Sequence, residues 1–112
     1  MLCSYSLTES SDDTSRDINQ AICLGQYDRI AEYLAPEVML GVQGVENSCP
    51  KEQVEQALKE FFKRNKPQQF LCTSGSSFVT GQLITSFGRS YKVDYTLKTI
   101  DNKEFITNFH VY

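Results

Sequence analysis

His110 and Asp94 are the residues of this sequence whose types best suit acid–base chemistry. An imidazole titrates near neutral pH and can act as a general base, and a carboxylate can orient it. In the strand register predicted below, both side chains lie on the outer face of a sheet, with His110 opposite Lys92 and Asp94 opposite Asn108. A general base has to reach a substrate in a pocket. We therefore predict no catalytic residues.

The segment SYKVDYTLKT, residues 90–99, suggests a ligand-binding site instead. Its aromatic and aliphatic residues alternate with polar ones, so one face of an extended strand should be buried. On that face the hydroxyls of Tyr91, Tyr95 and Thr107 could orient a ligand, and Gly81 would leave space for it. A tyrosine with its ordinary pKa of about 10 is a poor base near neutral pH. These four residues are the predicted ligand site, and the alternative is that the tyrosines only fill the core.

The cysteines do not have the spacing of a metal site. Cys3, Cys23, Cys49 and Cys72 include no C-x-x-C pair, and His110 is the single histidine of the chain. Zinc sites use closely spaced Cys and His ligands, so we predict no metal and no cofactor. An even number of cysteines permits disulfides, but a domain with its own core does not require them, and Cys23 and Cys72 lie in apolar patterns, where a buried free cysteine is ordinary.

Composition limits the classes of partner. A chain of 112 residues with a net charge of −3 and a pI near 5.1 is one domain without a basic stripe, so nucleic acid is not an expected partner. The apolar runs are far shorter than the roughly 20 residues of a membrane-spanning helix. The first residues do not resemble a signal peptide. The protein is therefore either cytoplasmic or exported with its leader removed, and the sequence does not choose between the two.

The N-terminal half has helical periodicity. Residues 1–13 are rich in Ser, Thr and acidic side chains, which predicts a flexible segment before a single domain at 14–112. One helix should run from Asp12 or Asp13 to Gly25, and a second from Tyr27 to Ala35, where Pro36 ends it. A short strand follows at 38–42. The clearest helix is PKEQVEQALKEFFKRN, residues 50–65, which places its apolar residues on one face.

The C-terminal part changes to a period of two, which predicts four strands in antiparallel hairpins from residue 69 onwards. At SFG, residues 86–88, a three-residue loop with a left-handed Gly88 would pair Leu83 with Tyr91 and Gly81 with Val93.

The same type of loop at IDNK would put Asn102 in a left-handed conformation and pair Val93 with Phe109. That register buries Phe105 and Phe109 and leaves His110 partly exposed. A two-residue turn would instead bury Asn108 and His110 and expose the two phenylalanines. Burial of apolar side chains favours the first register.

The segment ICLGQYDRIAEYLAPEVML, followed by an amphipathic helix and several strands, resembles the nuclear transport factor 2-like (cystatin-like) superfamily. VEQALKEFFKRNKP and LITSFGRSYKVDYTLKTIDNKEFI resemble a bacterial branch of it, common in Bacteroidetes, whose function is unassigned. The resemblance covers roughly residues 15–112. It implies an α+β fold in which a cone-shaped, curved antiparallel sheet wraps around a long helix, with two further N-terminal helices. The open end of such a cone often holds a ligand.

The superfamily includes isomerases and dehydratases as well as plain binding domains, so fold alone does not decide the function. No position of this sequence matches a catalytic motif of those enzymes. We therefore predict a non-catalytic binding or accessory domain, which holds a small apolar molecule in the cone or a partner protein. The alternative is a small cofactor-free isomerase or dehydratase-like enzyme. Superfamily members often dimerise through the sheet, so a homodimer is a further expectation.

Overall fold

The computed structural model describes residues 4–7, 13–42, 44–74, 77–86 and 88–111. Three helices and seven strands follow one another along these residues. They are β1 (Ser4–Leu7), α1 (Asp13–Leu24), α2 (Tyr27–Ala31), β2 (Leu34–Val42), β3 (Val45–Pro50), α3 (Lys51–Arg64), β4 (Pro67–Ser74), β5 (Phe78–Thr85), β6 (Ser90–Ile100) and β7 (Lys103–Val111).

The strands form one curved sheet in the order β1-β4-β5-β6-β7-β2-β3. The α+β class is confirmed, but the sheet is mixed, because β1 pairs with β4 and β2 pairs with β7 in parallel. The expectation of a wholly antiparallel sheet was wrong for these two pairs. The turn of a hairpin gives a recognisable pattern of residues in the sequence. A parallel pair joins strands that are distant in sequence and gives no such local pattern.

The helices pack on one face of the sheet. α3 buries Val54, Leu58 and Phe62, which lie at helical spacing on its sheet-facing side. It has 14 residues and a length of about 21 Å, so the long helix of the expectation is a helix of ordinary length. α1 has the predicted bounds, and Gly25, whose φ is +70°, directly follows its last residue.

α2 is shorter than predicted, because Leu34 already begins β2. The residue before a proline avoids the helical region, and here Pro36 draws the preceding residues into an extended strand. The pairing of β2 with β7 shifts between Leu34 and Met39, where Pro36 lacks the N–H that a regular ladder needs.

The β5–β6 connection agrees with the prediction. Gly88 has a φ of +76°, Leu83 pairs with Tyr91, and Gly81 pairs with Val93. The four strands β4 to β7 are those that the alternating pattern predicted.

The β6–β7 turn differs from the prediction. Asp101 and Asn102 both have positive φ, at 52° and 66°, and Ile100 pairs with Lys103, so the connection is a two-residue turn. The predicted three-residue loop was therefore wrong.

An irregularity in the pairing of β6 with β7, beyond the turn, returns apolar side chains of β7 to the buried face. Leu97 pairs with Ile106 and Thr96 with Asn108, which leaves Thr107 as an extra residue. Ile106 and Phe109 are consequently both buried, although they are three positions apart. The buried Phe109 and the partly exposed His110 are confirmed; Phe105, which is only half-buried, was predicted wrongly.

The N-terminal residues 1–3 and 8–12 lie outside the described part of the chain, so the flexibility of segment 1–13 stays a prediction, as do the domain bounds. Residues 4–7 form β1. None of the helices in the described ranges combines the length and apolar character that a membrane span requires.

Candidate functional site

A cavity of about 270 Å³ lies between α3 and the ends of β2 and β7. Alternation along β2 turns Leu40 and Val42 toward α3 and Met39 away from it. Val42 pairs with Val111 of β7, so these strands together form an apolar floor. The lining residues are Leu40, Val42, Ala57, Leu58, Glu60, Phe61, Arg64, Asn65 and Val111.

Tyr91 contacts two residues that line this cavity, Asn65 and Phe61. Its hydroxyl donates a hydrogen bond to Asn65 Oδ1 at 2.9 Å, and Asn65 Nδ2 donates to the carbonyl of Phe61 at 3.1 Å. The rings of Tyr91 and Phe61 meet edge to face, with centroids 5.1 Å apart. The C-terminal end of α3 is therefore held against β6, and the rim of the cavity is held with it.

The other residues of the predicted ligand site lie elsewhere. Tyr95 is fully buried, and its hydroxyl donates to Asn19 Oδ1 of α1 at 2.6 Å. A Cβ on Gly81 would lie 2.7 Å from the carbonyl oxygen of Leu71 and 2.8 Å from Cε1 of Phe70. A ligand over Gly81 would need Phe70 to move.

Thr107 lies at the irregularity in β7, and its hydroxyl donates to Asn108 Oδ1 at 3.0 Å. Of the four predicted residues, the structure thus brings Tyr91 to the edge of the cavity and leaves the other three apart from it. The role of all four in ligand binding stays a prediction.

The sequence reasoning missed the contribution of β2. The alternation in VMLGV was visible, but the pairing that places Leu40 and Val42 beside Val111 joins strands that are distant in sequence. The apolar stripe of α3 was recognised from the sequence. The apolar surface of β2 and β7 that lies across the cavity from α3 was not recognised.

Asp94 and His110 lie on the outer face of the sheet, opposite to the helices, as expected, but they pair directly with each other. The predicted partners, Lys92 for His110 and Asn108 for Asp94, were wrong because the two-residue turn and the extra residue Thr107 each shift the register by one position. Thr80 donates to the buried Asp94 at 2.5 Å. Nε2 of His110 lies 2.5 Å from Oε2 of Glu46.

Gly41 lets His110 cross β2 to reach β3. A Cβ at position 41 would collide with Cδ2 of the imidazole, so glycine is required for this close approach. His110 therefore ties the edge strand β3 to β7, on the face opposite to the cavity.

A second polar cluster joins the first two helices. Asp17 of α1 accepts hydrogen bonds from Arg29 and, at 2.5 Å, from the hydroxyl of Tyr33. The carbonyl of Tyr33 accepts from the backbone N–H of Ile106 at 2.6 Å. These contacts fix α1 and α2 to the start of β2 and to β7, which makes the cluster a structural one.

The described thiols do not suggest nucleophilic chemistry. Cys49 and Cys72 are buried thiols, and burial raises the pKa of Cys72 from 9.0 to about 11. A thiol needs a lowered pKa to react as a thiolate near neutral pH. Cys23 is disulfide-bonded, so the expectation of a free cysteine was wrong for it.

Comparison with known proteins places the fold. A family model described as a domain of unknown function, DUF4783, matches residues 15–111. A DUF4783 structure from Bacteroides ovatus is 27% identical, with a TM-score of 0.79 over 85% of this chain and 90% of that one. A DUF4783 structure from Bacteroides uniformis is 22% identical, with a TM-score of 0.82 over 88% of this chain and 95% of the other.

The likeness extends beyond that family. An NTF-2-like protein of unknown function from Shewanella oneidensis is 15% identical, with a TM-score of 0.64 over 87% of this chain and 91% of that one. No curated protein matches this sequence. The chain therefore belongs to the DUF4783 family, and its fold is that of the nuclear transport factor 2-like (cystatin-like) superfamily, as the sequence predicted.

Proposed function

We propose that this protein is a non-catalytic binding domain that holds a small apolar ligand in the cavity between α3, β2 and β7. The observation that carries the proposal is the apolar lining from three different elements, which converge on one space of about 270 Å³. Ligand pockets commonly measure about 300–1,000 Å³, so the ligand is small. In this proposal the curved sheet and α3 form a cone, and the cavity is its open end.

The positions of the charged side chains favour binding over catalysis. Glu60 and Arg64 are the ionisable residues that line this cavity, and both are exposed to solvent. An isomerase or dehydratase would need a titratable group buried in the apolar part, where its pKa could be tuned. A homodimer or a partner protein on the outer face of the sheet is compatible with the proposal, since that face lies opposite to the cavity.

The proposal is tested with 1-anilinonaphthalene-8-sulfonate, whose fluorescence rises in an apolar site. Ala57 is half-buried and lines the cavity, so Ala57→Trp fills it. The neighbouring Gln56 is exposed and does not line it, so Gln56→Trp is a matched control. We expect saturable binding by the wild type, at least tenfold weaker binding by Ala57→Trp, and no change in Gln56→Trp.

Thermal unfolding of each variant checks that the fold is kept, because this probe also binds loosened proteins. A cooperatively folded Ala57→Trp protein that binds the probe as tightly as the wild type would contradict the proposal.

A further inference from the structure

The disulfide of Cys23 has a partner that the cysteine content of the chain identifies. Cys23 lies in the last turn of α1, is fully buried, and is disulfide-bonded. The sequence has four cysteines, and Cys49 and Cys72 are thiols. Cys3 is the remaining one, and it lies outside the described residues. Elimination within the chain therefore gives Cys3 as the partner of Cys23.

The position of β1 in the sheet supports the same assignment independently. β1 runs parallel to β4, with Ser4 opposite Gln69 and Leu7 opposite Cys72. The first residue of β1 is therefore the one nearest the start of β4. Cys3 directly precedes Ser4 in the sequence, so it is covalently attached at that end of β1.

The C-terminal end of α1 lies at the same place. Gly25 directly follows α1, and a Cβ on it would lie 3.2 Å from Cδ of Pro67, the first residue of β4. Cys23 precedes Gly25 by two residues, and α1 packs against both β1 and β4. A disulfide needs two Cα atoms within about 7 Å of each other. The end of α1 and the start of β1 are neighbours beside the start of β4, which is the arrangement that such a bond requires.

The two thiols lie elsewhere in the fold. Cys49 belongs to β3, at the edge of the sheet opposite to β1. Cys72 pairs with Leu7 at the other end of β1, and five residues of strand, about 17 Å, separate it from Pro67. Neither thiol is therefore beside the end of α1.

We propose that Cys3 and Cys23 form a disulfide that fastens the edge strand β1 to the end of α1. β1 has four residues and pairs with the sheet along one side. Without it, β4 would become an edge strand with unpaired backbone groups, which is a site of unwanted strand pairing. The bond keeps β4 covered. This inference is independent of the proposed function, because the cavity lies toward the opposite edge of the sheet.

The bond forms by oxidation of two thiols. Cys3 and Cys23 together lose two electrons and two protons, and a disulfide oxidant such as oxidised glutathione takes them up and is cleaved into two thiols. Disulfides persist in oxidising compartments and are rare in the cytoplasm. Of the two locations that the sequence leaves open, the inference selects the oxidising one.

Peptide mapping tests the pairing, because trypsin separates the four cysteines. They fall in the peptides 1–16, 17–29, 30–51 and 65–89. The whole chain is oxidised with glutathione, its thiols are blocked with N-ethylmaleimide in denaturant, and it is digested without reduction. Mass spectrometry should find peptide 1–16 linked to 17–29, with blocked thiols in the other two. A link from 17–29 to either other peptide, or four blocked thiols, would overturn the assignment.

Urea unfolding tests whether the bond stabilises the fold. Dithiothreitol reduces the protein disulfide and is itself oxidised to a cyclic disulfide. It should raise the unfolding equilibrium constant of the wild type about a hundredfold, because the loop between residues 3 and 23 is then open. Cys3→Ala should match the reduced wild type and should not respond to dithiothreitol. Cys49→Ala is the matched control and should keep the full response. A Cys3→Ala protein that still responds would contradict the proposal.

Hydrogen exchange tests the effect on β1 itself. In the oxidised wild type the backbone amides that β1 uses to pair with β4 should be protected. In the reduced protein they should lose their protection, whereas the amides of β6 remain protected. If β1 stays as protected as β6 after reduction, the disulfide is not what holds this strand.

Discussion

At Gly81 the absence of a side chain allows neighbouring residues to approach the backbone closely, and it does not leave an empty space. A glycine inside a strand is compatible with either. Here the ring of Phe70, Cβ of Cys72 and the carbonyl oxygen of Leu71 all lie within 3 Å of the place where a Cβ would be. Two of these neighbours belong to the backbone or to its first side-chain atom, so they cannot rotate away.

We expect Gly81→Ala to destabilise the protein by about 1–3 kcal/mol, because the added methyl group overpacks the core. Chemical denaturation of the variant measures this. Gln82→Ala, at the exposed neighbouring position, should stay within about 0.5 kcal/mol of the wild type. Equal stability of Gly81→Ala and the wild type would show that the space over Gly81 is open, as the ligand site predicted from sequence requires.

At the scale of the element, the β6–β7 hairpin depends on two features that act together. Its turn places Asp101 and Asn102 in the left-handed region, which Asp and Asn tolerate better than most residues. The extra residue Thr107 then moves the second half of β7 by one position, so that Phe109 lies on the buried face. Without that irregularity, the same turn would expose it.

Asn102→Val should destabilise the protein by about 1–2 kcal/mol, since a β-branched residue is strained at positive φ. Asn102→Gly should be neutral or slightly stabilising. Lys103→Val, one position beyond the turn and within β7, is the control and should have little effect. Urea unfolding of the three variants gives the comparison. If the valine and glycine variants at position 102 are equally stable, the turn does not have the described conformation.

At the scale of the whole molecule, the two faces of the sheet have different roles. One face carries the core and, at its edge, the cavity between α3, β2 and β7. Phe109 belongs to this face and stacks with Tyr95 at a centroid distance of 6.3 Å. The other face carries polar contacts such as that between His110 and Glu46, whose side chain is 55% exposed.

Phe109→Ala should therefore cost about 3–5 kcal/mol of the free energy of unfolding, the usual effect of removing a buried aromatic ring. His110→Ala should cost less than about 1 kcal/mol, because the carboxylate of Glu46 that it contacts is more than half exposed and such an ion pair contributes little. Phe105→Ala should fall between them, since this ring is half-buried. Guanidinium unfolding measures all three. A larger cost for His110→Ala than for Phe109→Ala would reverse the assignment of the two faces.

The sequence by itself determined the features that depend on neighbouring residues. The stripe of apolar residues in α3, the left-handed Gly88 and the alternation in β4 to β7 each involve short-range geometry, and each is found where it was predicted. The same local signals were sufficient for the α+β class and for the superfamily.

Only the tertiary structure decided how distant segments meet. The parallel pairing of β2 with β7 joins the two ends of the domain without a turn, and the irregularity at Thr107 is selected by the burial of Ile106 and Phe109. The cavity of the candidate site depends on the pairing of β2 with β7, because its floor combines these two strands opposite α3. Such contacts are stabilised by packing across the whole core, and for that reason no local pattern in the sequence could place the candidate site.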